Sequence, residues 1–565
     1  MKKNETVHLY TPEGEALTGM PWDVYPRPQM VRDSFLCLNG EWDFSANGGA
    51  WEPIRVPFAP ESLLSGLCRD MGERPHLTYR KRFPRPADFL DGRVLLHFGA
   101  VDQIAEVTLN GVYIGRHEGG YEAFSFDVTD ALADENLLEV VAIDDLSDHV
   151  LPWGKQCRRR GGMWYTPVSG IWQTVWMERV PDTYVKSLTL KTDALGADIL
   201  ADGVSDGVLT VVAPEGKMQI PMVDGRARVT LDAPRMWSPE DPYLYRFTLR
   251  AGEDEVRSYF ALRTLDIREV KGVPRLCLNG KPYFFHGLLD QGYFSDGIYT
   301  PATPEGYTRD ILAMKELGFN TLRKHIKVEP EQFYYDCDRL GMVVFQDMVN
   351  NGDYSFLRDT ALPTVGLKRL SDKHLHRNRE TREAFVRGME STVKQLYNHP
   401  CICYWTVFNE GWGQFDSETQ YHALRKLDDS RFIDTASGWF TGATSDVDSE
   451  HVYFKPVRLK YSDKPMVLSE FGGYSYKPEG HVFNPVNTYG YRFFKDRQAF
   501  EDALIALYEN EVIPAVEKGL CAAIYTQVSD VEDETNGLLS YDRRVTKVDA
   551  ARMQTIAAAL CQAIE

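Results

Sequence analysis

From about residue 269 to the C-terminus, short apolar runs alternate with amphipathic helical patterns, eight runs in all. No other feature of this chain limits its fold so sharply. Strands that alternate with helices must lie parallel, because each helix carries the chain back to the start of the next strand. The runs are 282–291, 320–325, 342–348, 402–410, 432–437, 451–454, 465–471 and 520–527. Helical patterns fall at 304–317, 329–340, 379–397, 417–427, within 492–518 and at 547–563. Eight strands in about 300 residues predict a (β/α)8 TIM barrel with insertions. The alternative is a doubly wound sheet, which is weakened because no Gly-x-Gly-x-x-Gly follows the first run.

The chain has 565 residues, and single cores stop growing near ~250–300, so further domains must precede the barrel. Residues 30–180 offer short alternating runs such as 93–98, 104–109 and 138–143, and Asn110-Gly111 lies between two runs as a hairpin signal. A β-sandwich of jelly-roll type is expected over 1–180. Runs at 185–190, 208–212, 227–231 and 243–249 predict an immunoglobulin-like β-sandwich over 181–268, which leaves 269–565 for the barrel.

Barrel enzymes carry their reactive groups at the C-terminal ends of the strands. Here those ends are polar: Asp290 and Gln291, then Arg323-Lys324-His325, Gln346-Asp347, Asn409-Glu410 and Glu470. Glu410 ends an apolar run and is followed by Gly411 and Trp412, while Glu470 is followed by Phe471-Gly472-Gly473. Either glutamate alone could cap a helix or form a salt bridge. Two of them at one rim, on the fourth and seventh strands, can face a single sugar-sized cavity. Acetal hydrolysis needs such a pair, one carboxyl protonated to release the leaving oxygen and one ionised to attack or stabilise the anomeric carbon.

Further motifs accompany the pair: Pro26-Arg27-Pro28, Leu38-Asn39-Gly40-Glu41-Trp42-Asp43-Phe44, Ser169-Gly170-Ile171-Trp172 with Val175-Trp176, Trp237-Ser238-Pro239, Pro242-Tyr243-Leu244-Tyr245, and Leu278-Asn279-Gly280-Lys281-Pro282 with Gly287. In this order, and with Asn409-Glu410 and Glu470, the whole chain resembles glycoside hydrolase family 2, the family of β-galactosidases and β-glucuronidases. The resemblance implies a retaining, two-step mechanism with Glu410 as general acid/base and Glu470 as nucleophile. It also implies that Asn409 bonds the sugar 2-hydroxyl and Tyr453 the nucleophile, and that His325 and Arg323 touch the sugar or hold the carboxylates. Asp347, Asp290 and Asn536 join them as substrate-binding candidates at the strand ends, with Trp439 and Trp412 as stacking walls and Tyr525 on the pocket floor. Such an acid needs a raised pKa, and such a nucleophile needs donors that keep it ionised.

Family members that act on glucuronides carry an Asn-x-Lys signal after the eighth strand. The matching stretch here is Glu534-Thr535-Asn536-Gly537-Leu538, with leucine in the lysine's place. Cations that could replace it are Arg323, Lys324, Lys327, Arg543 and Arg544. The expected activity is therefore exo-acting hydrolysis of terminal β-linked sugars, β-galactosides first. A β-glucuronidase or β-galacturonidase is the alternative, and a non-catalytic carbohydrate-binding protein a distant one. Transfer of the glycosyl group to sugars in place of water stays open. Residues 350–377 form a long connection after the third strand, expected to shape the cavity mouth.

The 63 basic and 82 acidic residues give a net charge of −19, which disfavours nucleic acid and anionic membrane as partners and leaves a carbohydrate or glycoconjugate substrate. Relatives are commonly dimers or tetramers, so a homo-oligomer is in keeping with the resemblance. No run approaches the ~18 apolar residues of a membrane span, and the N-terminus lacks a signal-like apolar stretch, so the cytoplasm is the expected compartment. The nine cysteines show no ligand spacing, and His374 and His376 sit in a basic loop. No metal or other cofactor is expected.

Overall fold

The computed structural model describes residues 6–362, 372–438, 444–459 and 462–565. The first β-block is a sandwich. Its larger sheet runs in the order Glu52–Val56, Gly40–Ala46, His76–Pro84, Glu135–Ile143, Ile104–Leu109, Val112–Glu118. Its smaller sheet runs Leu36–Cys37, Val175–Val180, Arg93–Phe98, Phe124–Asp127. Alternation does the work here. Ala105, Val107 and Leu109 face inward opposite Ala142, Val140 and Leu138, and the residues between them face out. Asn110 and Gly111 close the hairpin with φ of 53° and 80°, the left-handed pair that a two-residue turn of this twist requires. The core between the sheets holds Trp42, Phe44, Tyr79, Leu96 and Phe98.

The second block is another two-sheet sandwich. Three strands, Ser187–Thr192, Gly196–Asp202 and Arg226–Thr230, face four, Gly216–Met222, Gly207–Ala213, Tyr245–Ala251 and Asp254–Phe260. The strand expected to begin at 243 starts at Tyr245, after Pro242, which cannot donate to a ladder. A small antiparallel sheet, Leu265–Val270, Val273–Leu278 and Lys281–Pro282, then leads to the barrel. There Arg275 donates to the carbonyls of Val516 and Leu520.

The eight parallel strands of the barrel are β1 (Phe285–Asp290), β2 (Thr321–Lys324), β3 (Val343–Asp347), β4 (Ile402–Asn409), β5 (Phe432–Ser437), β6 (Asp448–Val452), β7 (Met466–Gly472) and β8 (Leu520–Thr526). β1 pairs with both β2 and β8. Ladders link every neighbouring pair except β5 and β6, where side chains bridge instead: Ser449 donates to Asp434 at 3.0 Å and Ser437 meets His451 at 2.8 Å. β6 lies earlier than the expected 451–454, so Tyr453 sits just past the strand end. The helices fall where the apolar spacing placed them, for example Glu305–Glu316, Arg379–Leu396 and Ala550–Ile564. All nine cysteines are free thiols.

Candidate active site

Glu410 follows directly on β4. It takes φ +51° and Gly411 φ +79°, so the chain breaks out of the strand at the carboxylate. A non-glycine residue in this region costs of order 1–3 kcal/mol, and such strain gathers at functional positions. Glu470 lies within β7, and Arg323 of β2 joins the two strand ends. Its Nη1 donates to Glu470 Oε1 at 3.0 Å and to the Ser469 carbonyl at 3.0 Å. Its Nη2 donates to Asn409 Oδ1 at 2.9 Å and its Nε to Asp347 Oδ1 at 2.9 Å. Tyr453 donates to the other oxygen of Glu470 and shares a 3.0 Å bond with Thr526 Oγ1.

His451 connects the two glutamates. Its Nδ1 lies 2.8 Å from Glu410 Oε1 and 3.7 Å from Glu470 Oε2, and its Nε2 reaches Ser437 Oγ. The facing atoms of Glu410, His451 and Glu470 all fall within 4.8 Å of one another. Among the described residues this is the group whose spacing could also suit a metal ion.

Burial works against an ionised Glu470, but the His451 imidazole and the Arg323 guanidinium outweigh it and hold its pKa down at about 2. Asp347 is likewise held low, with burial opposed by Arg323 and His325. Burial, with Lys155 adding to it, lowers His325 to about 4. A neutral ring then donates from Nδ1 to Asp347 Oδ2 at 2.7 Å and leaves Nε2 as an acceptor. Burial, reinforced by Glu470, raises Tyr453 far above its ordinary value, so it stays a donor.

The glycines after Glu470 have a steric reason. A Cβ on Gly473 would lie 2.3 Å from the ring of Tyr491, which stacks on Tyr453 at 3.8 Å. A Cβ on Gly472 would lie 2.3 Å from the ring of Tyr525.

Glu410, Glu470, Asn409, Arg323, His325, Asp347 and Tyr453 thus come together, whereas other expected positions do not. Tyr525 is turned away from the mouth: its ring packs on Phe471 and Gly472, and Thr526, one residue on, meets the site instead. Period-two alternation in β8 makes those two residues exclusive choices. Asn536 is fully buried, its amide donating to Glu534 and accepting from Gln527, so it braces the loop after β8 rather than meeting a sugar. Asp290 is paired with Lys324 at 2.6 Å. Trp412 is 2% exposed beneath Trp164, ring centroids 5.1 Å apart, so its face is covered rather than open to a sugar. Trp439 lies outside the described residues.

The nominated cations are also engaged. Arg543 binds Asp310 and two carbonyls, Arg544 pairs with Glu15, and Lys324 and Lys327 share Glu329.

Two features escaped the sequence reading. His451 lies two residues before Tyr453, so strand alternation could have found it. The second is residues 144–169 of the first sandwich, a long connection between strands that reaches the barrel mouth. Trp164 stacks on Trp412, and Tyr165 donates to Glu534. Lys155 Nζ lies 5.6 Å from the Trp412 ring centre. Length alone marked this segment. It meets the connection after β3, where Gly352 N donates to the His149 carbonyl and Asn351 to that of Val150. Of that connection, 363–371 lie outside the described residues.

Three family models match the chain: "Glycosyl hydrolases family 2, TIM barrel domain" over residues 269–546, "Glycosyl hydrolase 2 galactose-binding domain-like" over 62–148, and "Glycosyl hydrolases family 2" over 183–263. A β-galactosidase of Thermoanaerobacter pseudethanolicus is 26% identical over 424 residues, covering 70% of this chain and 53% of its own length. The chain thus spans about half of that relative. A β-glucuronidase of Bacteroides fragilis is 23% identical over 503 residues, covering 80% of this chain and 68% of its own. The β-D-glucuronidase of Dictyoglomus thermophilum has a similar fold, with TM-score 0.73 at 17% identity over 94% of this chain and 98% of that one. So does a β-galacturonidase from Eisenbergiella tayi bound to galacturonate, with TM-score 0.67 at 18% identity over 96% and 99%. With three models of one family matching in sequence along the chain, and the barrel they call for present, the chain belongs to glycoside hydrolase family 2.

Proposed function

We propose that this protein is an exo-acting, retaining β-glycosidase. The observation that carries the reading is the spacing of the glutamates: facing oxygens of Glu410 and Glu470 lie within 4.8 Å of each other. Retaining enzymes hold their carboxyls ~5–5.5 Å apart, whereas inverting ones need ~6.5–9.5 Å to fit a water between them. Ionised Glu470 attacks the anomeric carbon while protonated Glu410 gives its proton to the departing oxygen, leaving a glycosyl ester on Glu470. Glu410, now a carboxylate, takes a proton from water. That water attacks the same carbon and releases Glu470.

The neighbours fit these steps. Arg323 and Tyr453 receive the charge of Glu470 before attack and after release. Asn409 has its carbonyl oxygen fixed by Arg323, which leaves its NH2 to donate to the sugar 2-hydroxyl. Trp164, Trp412 and Tyr354 pack on one another just past Glu410, an aromatic flank in keeping with exo attack on a terminal sugar. The glutamate pair reads only the anomeric centre, so the choice of sugar falls to the groups around it, and β-galactosides and β-uronides both belong in the test.

A panel of p-nitrophenyl β-glycosides tests the reading. Glu470→Gln should abolish hydrolysis. Glu410→Ala should lose at least ~10³-fold on substrates with poor leaving groups but far less on nitrophenyl glycosides, whose leaving group needs no proton. Near-wild-type turnover by Glu470→Gln would sink the assignment.

A further inference from the structure

Lys155 is a buried charge that the described residues leave unpaired. It stands in the connection between strands of the first sandwich, yet its ammonium is 5.6 Å from the ring centre of Trp412 and 5.7 Å from that of Tyr165. The residue is 7% exposed, and among the described residues its Nζ makes no hydrogen bond or ion pair. Few lysines are buried to this degree without a partner. Trp412 stands two residues after Glu410, and the charge of Lys155 is within electrostatic reach of Glu470, Glu534 and His325.

The carboxylates nearby do not supply the missing partner. Glu534 accepts from Tyr165 on one oxygen and from Asn536 on the other. Both oxygens of Glu470 are taken by Arg323 and Tyr453, and Glu410 faces His451. Close by, the indole N–H of Trp412 is also buried without an acceptor. Among the described residues, two donors left without an acceptor side by side describe a place for an anionic oxygen group from outside the chain. Each cation nominated from the sequence already has carboxylate partners, Arg323 within the site and the others away from it, whereas Lys155 has none among the described residues.

We propose that Lys155, delivered by the first sandwich, is the specificity-determining residue of the site and receives the carboxylate of a β-linked uronic acid. The proposal rests on the glycosidase reading above and deepens it. It assigns the anion-reading role to a residue of a different domain, in a chain that has leucine at position 538.

The experiment compares matched substrates that differ only at C6: p-nitrophenyl β-galacturonide against β-galactoside, and β-glucuronide against β-glucoside. The wild type should favour the uronide of at least one pair by 30-fold or more in kcat/KM. Lys155→Met should lower that preference by at least 30-fold, mainly through KM, and Lys155→Arg should restore part of it. Should Lys155→Met fail to fold, wild-type inhibition serves: the free uronic acid should compete at least tenfold better than its neutral counterpart. A wild type that prefers the neutral sugar in both pairs, or a Lys155→Met variant that slows both members of a pair equally, overturns the proposal while leaving the glycosidase reading intact. If the wild type cleaves no member of the panel, or Glu470→Gln cleaves as well as wild type, the glycosidase reading fails and this one with it.

Discussion

At the scale of single residues, the site is a carboxylate pair held in unequal surroundings. Glu470 faces a guanidinium, a phenol and an imidazole, and its pKa of about 2 keeps it ionised near neutral pH. Removing the Tyr453 hydroxyl tests how much of that is due to one donor. A hydrogen bond to a charged acceptor contributes about 1.5–3 kcal/mol, so Tyr453→Phe should lower kcat/KM by roughly 10–150-fold. A carboxylate that loses a donor gains a proton more readily. The acid limb of the pH–rate profile should therefore move to higher pH. A variant with unchanged rates and an unmoved acid limb would show that Tyr453 is packing only.

At the scale of elements, the ends of β4 and β7 are shaped by backbone breaks that side chains then exploit. Glu410 leaves its strand through a left-handed residue. Gly472 and Gly473 leave theirs at φ +81° and +65° and make room for Tyr525 and Tyr491. Gly473→Ala would drive a methyl into Tyr491 and disturb its stack on Tyr453. The expected result is a fall in kcat of tenfold or more with KM changed much less, since the damage reaches the phenol that donates to Glu470 and, on the proposed mechanism, not the groups that would hold the sugar. An unaltered kcat would mean that Tyr491 can yield without moving Tyr453.

Much was legible at this scale. Runs at 93–98 and 104–109 are strands with those bounds, because alternation in a half-buried sheet is a local pattern. The barrel strands are apolar almost throughout and polar at their ends, for the same local reason. Strands Gly196–Asp202, Gly216–Met222 and Asp254–Phe260 were not anticipated. Each breaks its apolar residues with glycine, proline or charged residues, so no clean alternating run marks it, and what fixes it is pairing with a neighbouring strand. Tyr525 shows the other limit. Its type and strand were right, but a shift of one position decides whether a side chain faces the mouth or the helices.

At the scale of the whole molecule, the first sandwich does more than precede the barrel. Residues 149–166 interlock with the connection after β3, and buried titratable groups line this half of the molecule. Glu61 accepts from Ser169 N at 3.2 Å, and burial raises its pKa to about 8. A raised carboxyl stabilises the fold fully below its unfolded pKa near ~4.3 and loses that contribution as pH climbs to its folded value. Glu61→Gln removes this dependence. Relative to wild type, the variant should therefore gain a few degrees in Tm between pH 5 and pH 9, measured by thermal melting at each pH. Parallel melting curves at both values would show that Glu61 titrates normally.

The sequence by itself determined the class of each block, the two carboxylates and the family resemblance. These follow from local periodicity and from residues adjacent in the chain. Tertiary structure decided what stands around the carboxylates: His451 between them, Tyr525 turned outward, Arg543 tied to Asp310, and Lys155 brought from more than two hundred residues upstream of Glu410. Direction and partnership are properties of packing. A charge on a long connection has no reading until the chain folds and either gives it a partner or, as at Lys155, leaves it facing the site without one.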